Sequence, residues 1–269
     1  MPPTLQPLET LIDEKLDIPL VSAFSKMRPN IFHTEDPRHT EELVEFNWFA
    51  DQYPSVYAYY KRCAFHRAIS IQTAYQDAHA AMVDRISGLK DRPDSVDSLS
   101  TKALQTYWDF DACLVAVSTA LDVLTRVAGT AYEGDKSPTF GKFCKKNKDT
   151  LGVAKYIVNA KTSWVDRFKT YRDCLVHFTC STQYHSFTAE LQSVDEYKLR
   201  CVLPDNPNQR EMLRFTHSNG EDVYVFAANC LNNLHELESK VAEKLLEDYQ
   251  NEEYPKQTKR LFTLGKRKK

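Results

Sequence analysis

Glycine is scarce, with 7 in 269 residues. That disfavours a turn-rich β architecture and leaves helices as the expected elements. No C-x-x-C pair occurs: the 7 cysteines stand singly at Cys63, Cys113, Cys144, Cys174, Cys180, Cys201 and Cys230. An odd, scattered set is neither a disulfide framework nor a zinc site, and reads as reduced, buried thiols of a cytoplasmic protein. Met1-Pro2-Pro3 lacks the basic stretch and apolar run of a signal peptide. The longest apolar run, around Ala112 to Val127, is interrupted by Asp122 and Arg126. It reads as too short and too charged to span a membrane, so no membrane partner is expected. Walker loops, G-x-G-x-x-G, G-x-S-x-G and internal repeats are absent. An excess of one charge is missing too. With a formal net charge of −2, any affinity for nucleic acid must come from a local patch.

What is present is ordinary for a soluble globular protein: 42% hydrophobic and 27% charged residues. The length suits one large domain or two small ones. We divide the chain into an N-terminal arm (1–36), a helical domain (37–250) and a basic C-terminal tail (251–269). In the arm, Leu5, Leu8, Leu11, Ile12 and Leu16 suggest a short amphipathic helix, and Pro19, Pro29 and Pro37 punctuate the stretch after it. A helical region runs from about His39 to Leu89, interrupted near Pro54. Its aromatics, among them Tyr57, Tyr59, Tyr60 and Tyr75, suit a core, with base stacking as the rival use. A second long helix starts at Ser98 or Ser100 and runs to about Val127, its apolar stripe including Trp108, Phe110, Leu114 and Leu121. Gly129 to Pro138 is turn-like. After about Ser163 to Cys180 the pattern alternates: Phe187–Val194 and Tyr197–Leu203 read as strands, and Met212–Phe215 as a third. This places a β insertion at about 187–220. From Asp222, a fair N-cap, a last long helix completes a mainly α fold.

The candidate chemistry sits in Tyr171-Arg172-Asp173-Cys174-Leu175-Val176-His177-Phe178. Trp164, Phe168, Tyr171, Leu175 and Phe178 recur at spacings of three and four, the mark of a buried helical face. Asp173 and His177 are four apart and share a face. Arg172 and His177 are ~140° apart around the axis at ~100° per residue, so one helix does not bring them into a tight site unless a second copy faces it. An Arg that grips phosphate and a His that moves a proton form a minimal phosphodiester-cleaving pair. The bland alternative is that the trio caps and packs. Phe140 to Lys148 offers Lys142, Lys145, Lys146 and Lys148 as a phosphate-contacting patch or a solvated helix face. Arg62, His66 and Arg67 form another cation–imidazole cluster. Asp111, Asp122 and Arg126 lie on an apolar helix, where one of the acids meets Arg172 or His177 or forms a solvated edge.

Arg172-Asp173-Cys174-Leu175-Val176-His177 resembles the R-x4-6-H motif of HEPN (higher eukaryotes and prokaryotes nucleotide-binding) domains. The polar residue after the Arg, Asp173, and the long amphipathic helix from Asp109 to Arg126 also fit. The resemblance implies a HEPN-like helical bundle, dimeric, acting as a metal-independent endoribonuclease at a site formed by two facing motifs. It implies Arg172, His177 and Asp173 as catalytic residues, RNA as substrate, no cofactor or metal, and an antitoxin or regulatory partner. A toxin or an antiviral defence effector would have this character. Thr179 stands where members modified by a nucleotidyltransferase antitoxin carry Tyr. The alternative is a non-catalytic HEPN-like dimerisation or nucleotide-binding module.

Overall fold

The computed structural model describes residues 4–5, 17–27, 38–86, 94–133, 139–147, 152–177, 186–193, 196–209, 214–218 and 221–251. The fold is mainly α. In chain order it runs β1 (Thr4–Leu5), α1 (Pro19–Met27), α2 (Arg38–Ile86), α3 (Asp94–Glu133), α4 (Phe140–Lys146), α5 (Val153–Ala160), a π-helical stretch (Lys161–Val165), α6 (Asp166–His177), β2 (Ser186–Ser193), β3 (Glu196–Val202) and α7 (Val223–Gln250). Two compact units share these elements. The first combines Met1–Lys15, Cys63–Ala116 and Asp166–Asn232, and the second Leu16–Arg62, Val117–Val165 and Asn233–Lys269.

In the first unit, α2, α3, α6 and α7 pack around Ile71, Tyr75, Phe110, Leu114, Phe168 and Tyr224, all fully buried or nearly so. The Phe226 ring is met edge-on by Phe110 at 6.0 Å and by Tyr171 at 4.9 Å, the geometry that ring quadrupoles favour. Asp222 joins sheet to helix. Its Oδ1 accepts from the Tyr224 and Val225 backbone N–H groups, which makes it the expected N-cap of α7. Its Oδ2 accepts from the Tyr75 hydroxyl at 2.8 Å, and that hydroxyl in turn accepts from the Cys201 N–H at 2.7 Å. Burial holds the Asp222 carboxyl above its ordinary range, against the pull of these hydrogen bonds.

The β insertion lies where the alternation placed it, between α6 and α7. Strand β2 pairs antiparallel with β3, with Phe187 opposite Cys201. The third strand comes from elsewhere. Strand β1 adds to β3 in parallel through Thr4 and Leu5, giving the order β1-β3-β2. Leu5, expected in a helix, is therefore a strand residue, and Leu8 to Leu16 lie outside the described residues. Arg214 and Phe215 form no strand, while Met212 and Leu213 are outside the described set.

The second unit is tied by a buried ion pair. Lys61 Nζ donates to Glu238 Oε2 and to the Asp17 carbonyl, each at 2.6 Å, and lies 2.8 Å from His235 Nδ1. Tyr57 Oη and the Leu20 N–H also donate to the Glu238 carboxylate. An isolated charge would be costly here, so partners crowd it. Burial pushes the Glu238 carboxyl upward, against the opposing pull of the Lys61 ammonium. The segment from Asp17 to Met27 thus packs on its own chain, with Leu20 and Phe24 buried. Pro19 does not interrupt this part of the arm: it is the first residue of α1, where its missing N–H costs nothing.

Further corrections concern helix ends. Pro54 lies inside α2 without ending it, α3 starts at Asp94, and Gly129 belongs to α3, which continues to Glu133. Trp108 is not in the core stripe but 61% exposed. Of α3, Leu104–Gly129 is long and apolar enough to cross a membrane, contrary to the sequence expectation, yet 67% of its most apolar window is buried inside the protein, as in a core helix.

Candidate functional site

Helix α6 carries the motif and follows directly on the π-helical stretch. Phe168, Tyr171 and Cys174 are its buried side, and Tyr171 Oη donates to the Pro204 carbonyl at 3.2 Å. This fixes α6 against the segment after β3. Arg167 is held by Glu221 at 2.8 Å and lies over the Phe226 ring.

A cleft of about 520 Å³ opens between these elements, lined by Asp166, Lys169, Thr170, Asp173, Cys174, Pro207 and Asn208. Positions 166, 169, 170 and 173 follow one face of a helix. Asp173 is thus on the cleft wall. Arg172 is not a lining residue, but its Nη1 donates to Asp173 Oδ1 at 2.7 Å. Its side chain is 34% exposed, and its Nε is buried with no acceptor among the described residues. An Arg has five N–H donors in a planar fork, so a guanidinium fixed on one side by a carboxylate retains donors for an anion. His177 is the last residue of α6; its side chain lies outside the described residues. The sequence trio is therefore joined at Arg172–Asp173, and at His177 in helical spacing alone.

The lysine patch forms a helix, α4, with Phe140, Phe143 and Cys144 buried. Lys142, Lys145 and Lys146 are exposed and belong to the second unit, whereas Arg172, Asp173 and His177 belong to the first. Lys148 is outside the described residues. Asp122 accepts from the Phe140 N–H at 3.1 Å, so this acid supports the start of α4. In the other cluster, Arg67 donates to Asp109 at 2.7 Å, the same carboxylate that Ser70 reaches. His66 is exposed with its ring edge-on to Phe65 at 5.8 Å. These are positions of structural ion pairs and ring contacts.

Two groups escaped the sequence reading. Lys169, Thr170 and Asn208 line the cleft; the spacing Asp166, Lys169, Thr170, Asp173 held the signal for all but Asn208, which looked like turn alone. The Lys61–Glu238 pair joins residues 177 apart in the chain, and only a charge set among Leu234, Leu237 and Val241 hinted at it. Burial raises the Cys113 thiol to about 12, and Cys230 well above its ordinary value, so these thiols are not poised as nucleophiles. Among the described residues no group of three or more His, Cys, Asp or Glu is placed to hold a metal ion. No protein-family model matches the chain, and no curated protein or solved structure is similar to it.

Proposed function

We propose that this chain is a HEPN-type, metal-independent endoribonuclease that works as a cytoplasmic homodimer, as a toxin or an antiviral defence effector. The observation that carries the reading is Arg172: it is half-buried beside a cleft, oriented by Asp173, with a buried Nε that meets no acceptor among the described residues. A non-bridging phosphate oxygen is the acceptor such a fork suits best. In the reaction the 2′-hydroxyl attacks phosphorus as its proton passes to an imidazole. The bond to the 5′-oxygen breaks as that oxygen takes up a proton. The products are a 2′,3′-cyclic phosphate and a 5′-hydroxyl. His177 is the proton-transfer residue, and Asp173 holds Arg172 in register. The facing copy of the motif supplies the second imidazole, so the active species is the dimer.

The test is purified protein on RNA in EDTA, followed by product analysis. Cleavage should persist without metal, rise from acid pH through an imidazole pKa near ~6.5, leave cyclic phosphate ends and spare DNA. His177→Ala should lose a factor of ~10²–10⁴. Arg172→Lys should lose much of the turnover while keeping the charge, because a point charge does not reproduce a bidentate grip. An inactive wild type whose His177→Ala variant behaves identically in cells would refute it. The second reading, a non-catalytic HEPN-like dimerisation or nucleotide-binding module, is favoured by the Arg172–Asp173 pairing, which partly neutralises the cation. It would be recognised by nucleotide binding that depends on Arg172 without turnover.

A further inference from the structure

The Lys61 ammonium has three hydrogens and three acceptors: the Asp17 carbonyl, Glu238 Oε2 and His235 Nδ1. All four residues belong to the second unit. An ammonium only donates, so His235 Nδ1 is the bare nitrogen of a neutral ring whose hydrogen sits on Nε2. We propose that His235 makes this cluster a pH-sensitive latch on the segment from Asp17 to Met27. Neutral, the imidazole accepts from Lys61 and the segment stays on α2 and α7. Protonated, it gives up that contact and the segment loosens. The proposal does not depend on the ribonuclease reading, whose motif residues lie in the first unit.

Exposure separates the sensor from the part it controls. The His235 side chain is 44% exposed, so a proton reaches it from solvent. The Lys61 and Glu238 side chains are 4% and 0% exposed, so little water stands by to replace a lost acceptor. The same cluster holds the segment directly: Lys61 grips the Asp17 carbonyl, and Glu238 Oε1 accepts from the Leu20 N–H at 3.1 Å.

The charges around the ring decide the sign. From α2 come the Lys61 ammonium, 2.8 Å from Nδ1, and Tyr57, whose hydroxyl donates to Glu238. Burial and that carboxylate push the Tyr57 hydroxyl well above its ordinary value, so it stays uncharged. From α7 itself comes Glu238, 4.0 Å from Nδ1. Ahead of α1, the Asp17 carboxylate turns to the Ile18 N–H at 2.7 Å. An imidazolium would be repelled by Lys61 at the shorter distance and drawn by Glu238 at the longer one, and the energy of a charge pair falls inversely with distance. Lys61 already neutralises that carboxylate at 2.6 Å. Repulsion therefore wins. The hold is full above the ordinary imidazole value of ~6.5 and is lost as pH falls below it.

The experiment is amide hydrogen exchange of the full chain, read as protection factors at Leu20 and Ser22 in α1, with Leu245 in α7 as the reference. Between about pH 8 and about pH 5 the α1 factors should fall about tenfold, the equivalent of one pKa unit of differential interaction, while Leu245 holds. His235→Asn places an uncharged amide oxygen where Nδ1 lies, so it should keep the protection and abolish the fall. His235→Leu supplies no acceptor, so its α1 factors should already be low at about pH 8 and change little on acidification. Circular dichroism checks that each variant folds. A flat wild-type profile would overturn the inference, as would a parallel fall at Leu245. So would a pH dependence that survives in His235→Asn, which would assign the response to the Glu238 carboxyl, whose range burial raises. Wild-type protection in His235→Leu would show that the imidazole holds nothing.

Discussion

Lys61 and Glu238 show what one buried charge requires. Both are almost fully enclosed, and four groups besides their mutual contact satisfy them. Replacing Lys61 by Met would leave the carboxylate enclosed without its cation, and such losses run to ~3–5 kcal/mol. Urea unfolding should show that loss, and adding Glu238→Leu should recover much of it. Asp222 yields a prediction about pH. Its folded-state pKa is raised, so its contribution is full below the ordinary carboxylate value of 3.8 and is lost as pH rises through the raised value. Asn at this position keeps the capping oxygen and carries no charge. Its amide can donate to the Tyr75 hydroxyl, whose own hydrogen turns to the Cys201 carbonyl at 3.4 Å. Asp222→Asn should therefore gain stability relative to the wild type as pH climbs from 3.8 toward neutrality. A stability difference that stays flat with pH would contradict this.

At the scale of elements, the sheet has a marked inequality. Strand β3 is central, bonded to β2 along its length and to β1 at Glu196 and Tyr197, whereas β2 and β1 are edges. Amide hydrogen exchange in the sheet should be slowest around Glu196 and Tyr197, because opening β3 there breaks two ladders and opening either edge breaks one. How much of this was legible depended on whether the signal was local. The β2–β3 pair was readable because alternation is a property of adjacent residues, and the Asp222 cap because a cap and its helix are neighbours. Strand β1 was not, since two residues, Thr4 and Leu5, carry no periodicity and gain their state from a partner nearly two hundred positions away. Trp108 shows a different failure. The helix around it was read correctly, but its buried face includes Thr106 and Asp109, polar residues that burial tolerates because Arg67 and Ser70 meet that aspartate. Hydrophobicity alone therefore put Trp108 in the stripe, whereas Phe110, Leu114, Val117, Leu121 and Leu124 are buried as expected. At the cleft, the motif pointed to Arg172 and Asp173, while the wall residue Asn208 arrives from a loop whose path no spacing rule describes.

For the whole molecule, the near-balance of charge hides a strong asymmetry. The segment after Tyr254 carries Lys256, Lys259, Arg260, Lys266, Arg267, Lys268 and Lys269 with no acid, and it lies outside the described residues. On the proposed ribonuclease reading, such a tail adds affinity through counterion release and leaves the chemistry to the motif. Removal of residues 256–269 should weaken RNA binding and flatten its dependence on salt, while turnover at saturating RNA stays the same. Loss of turnover at saturation would place the tail in the active site. The outward-facing Trp108 has its own consequence. A solvated indole emits at long wavelength and is readily quenched by iodide, so with Trp48 and Trp164 changed to Phe this single side chain becomes an intrinsic optical reporter. Any surface that covers α3 at that point, whether a second copy or another molecule, would announce itself as a blue-shift in emission without a label being attached.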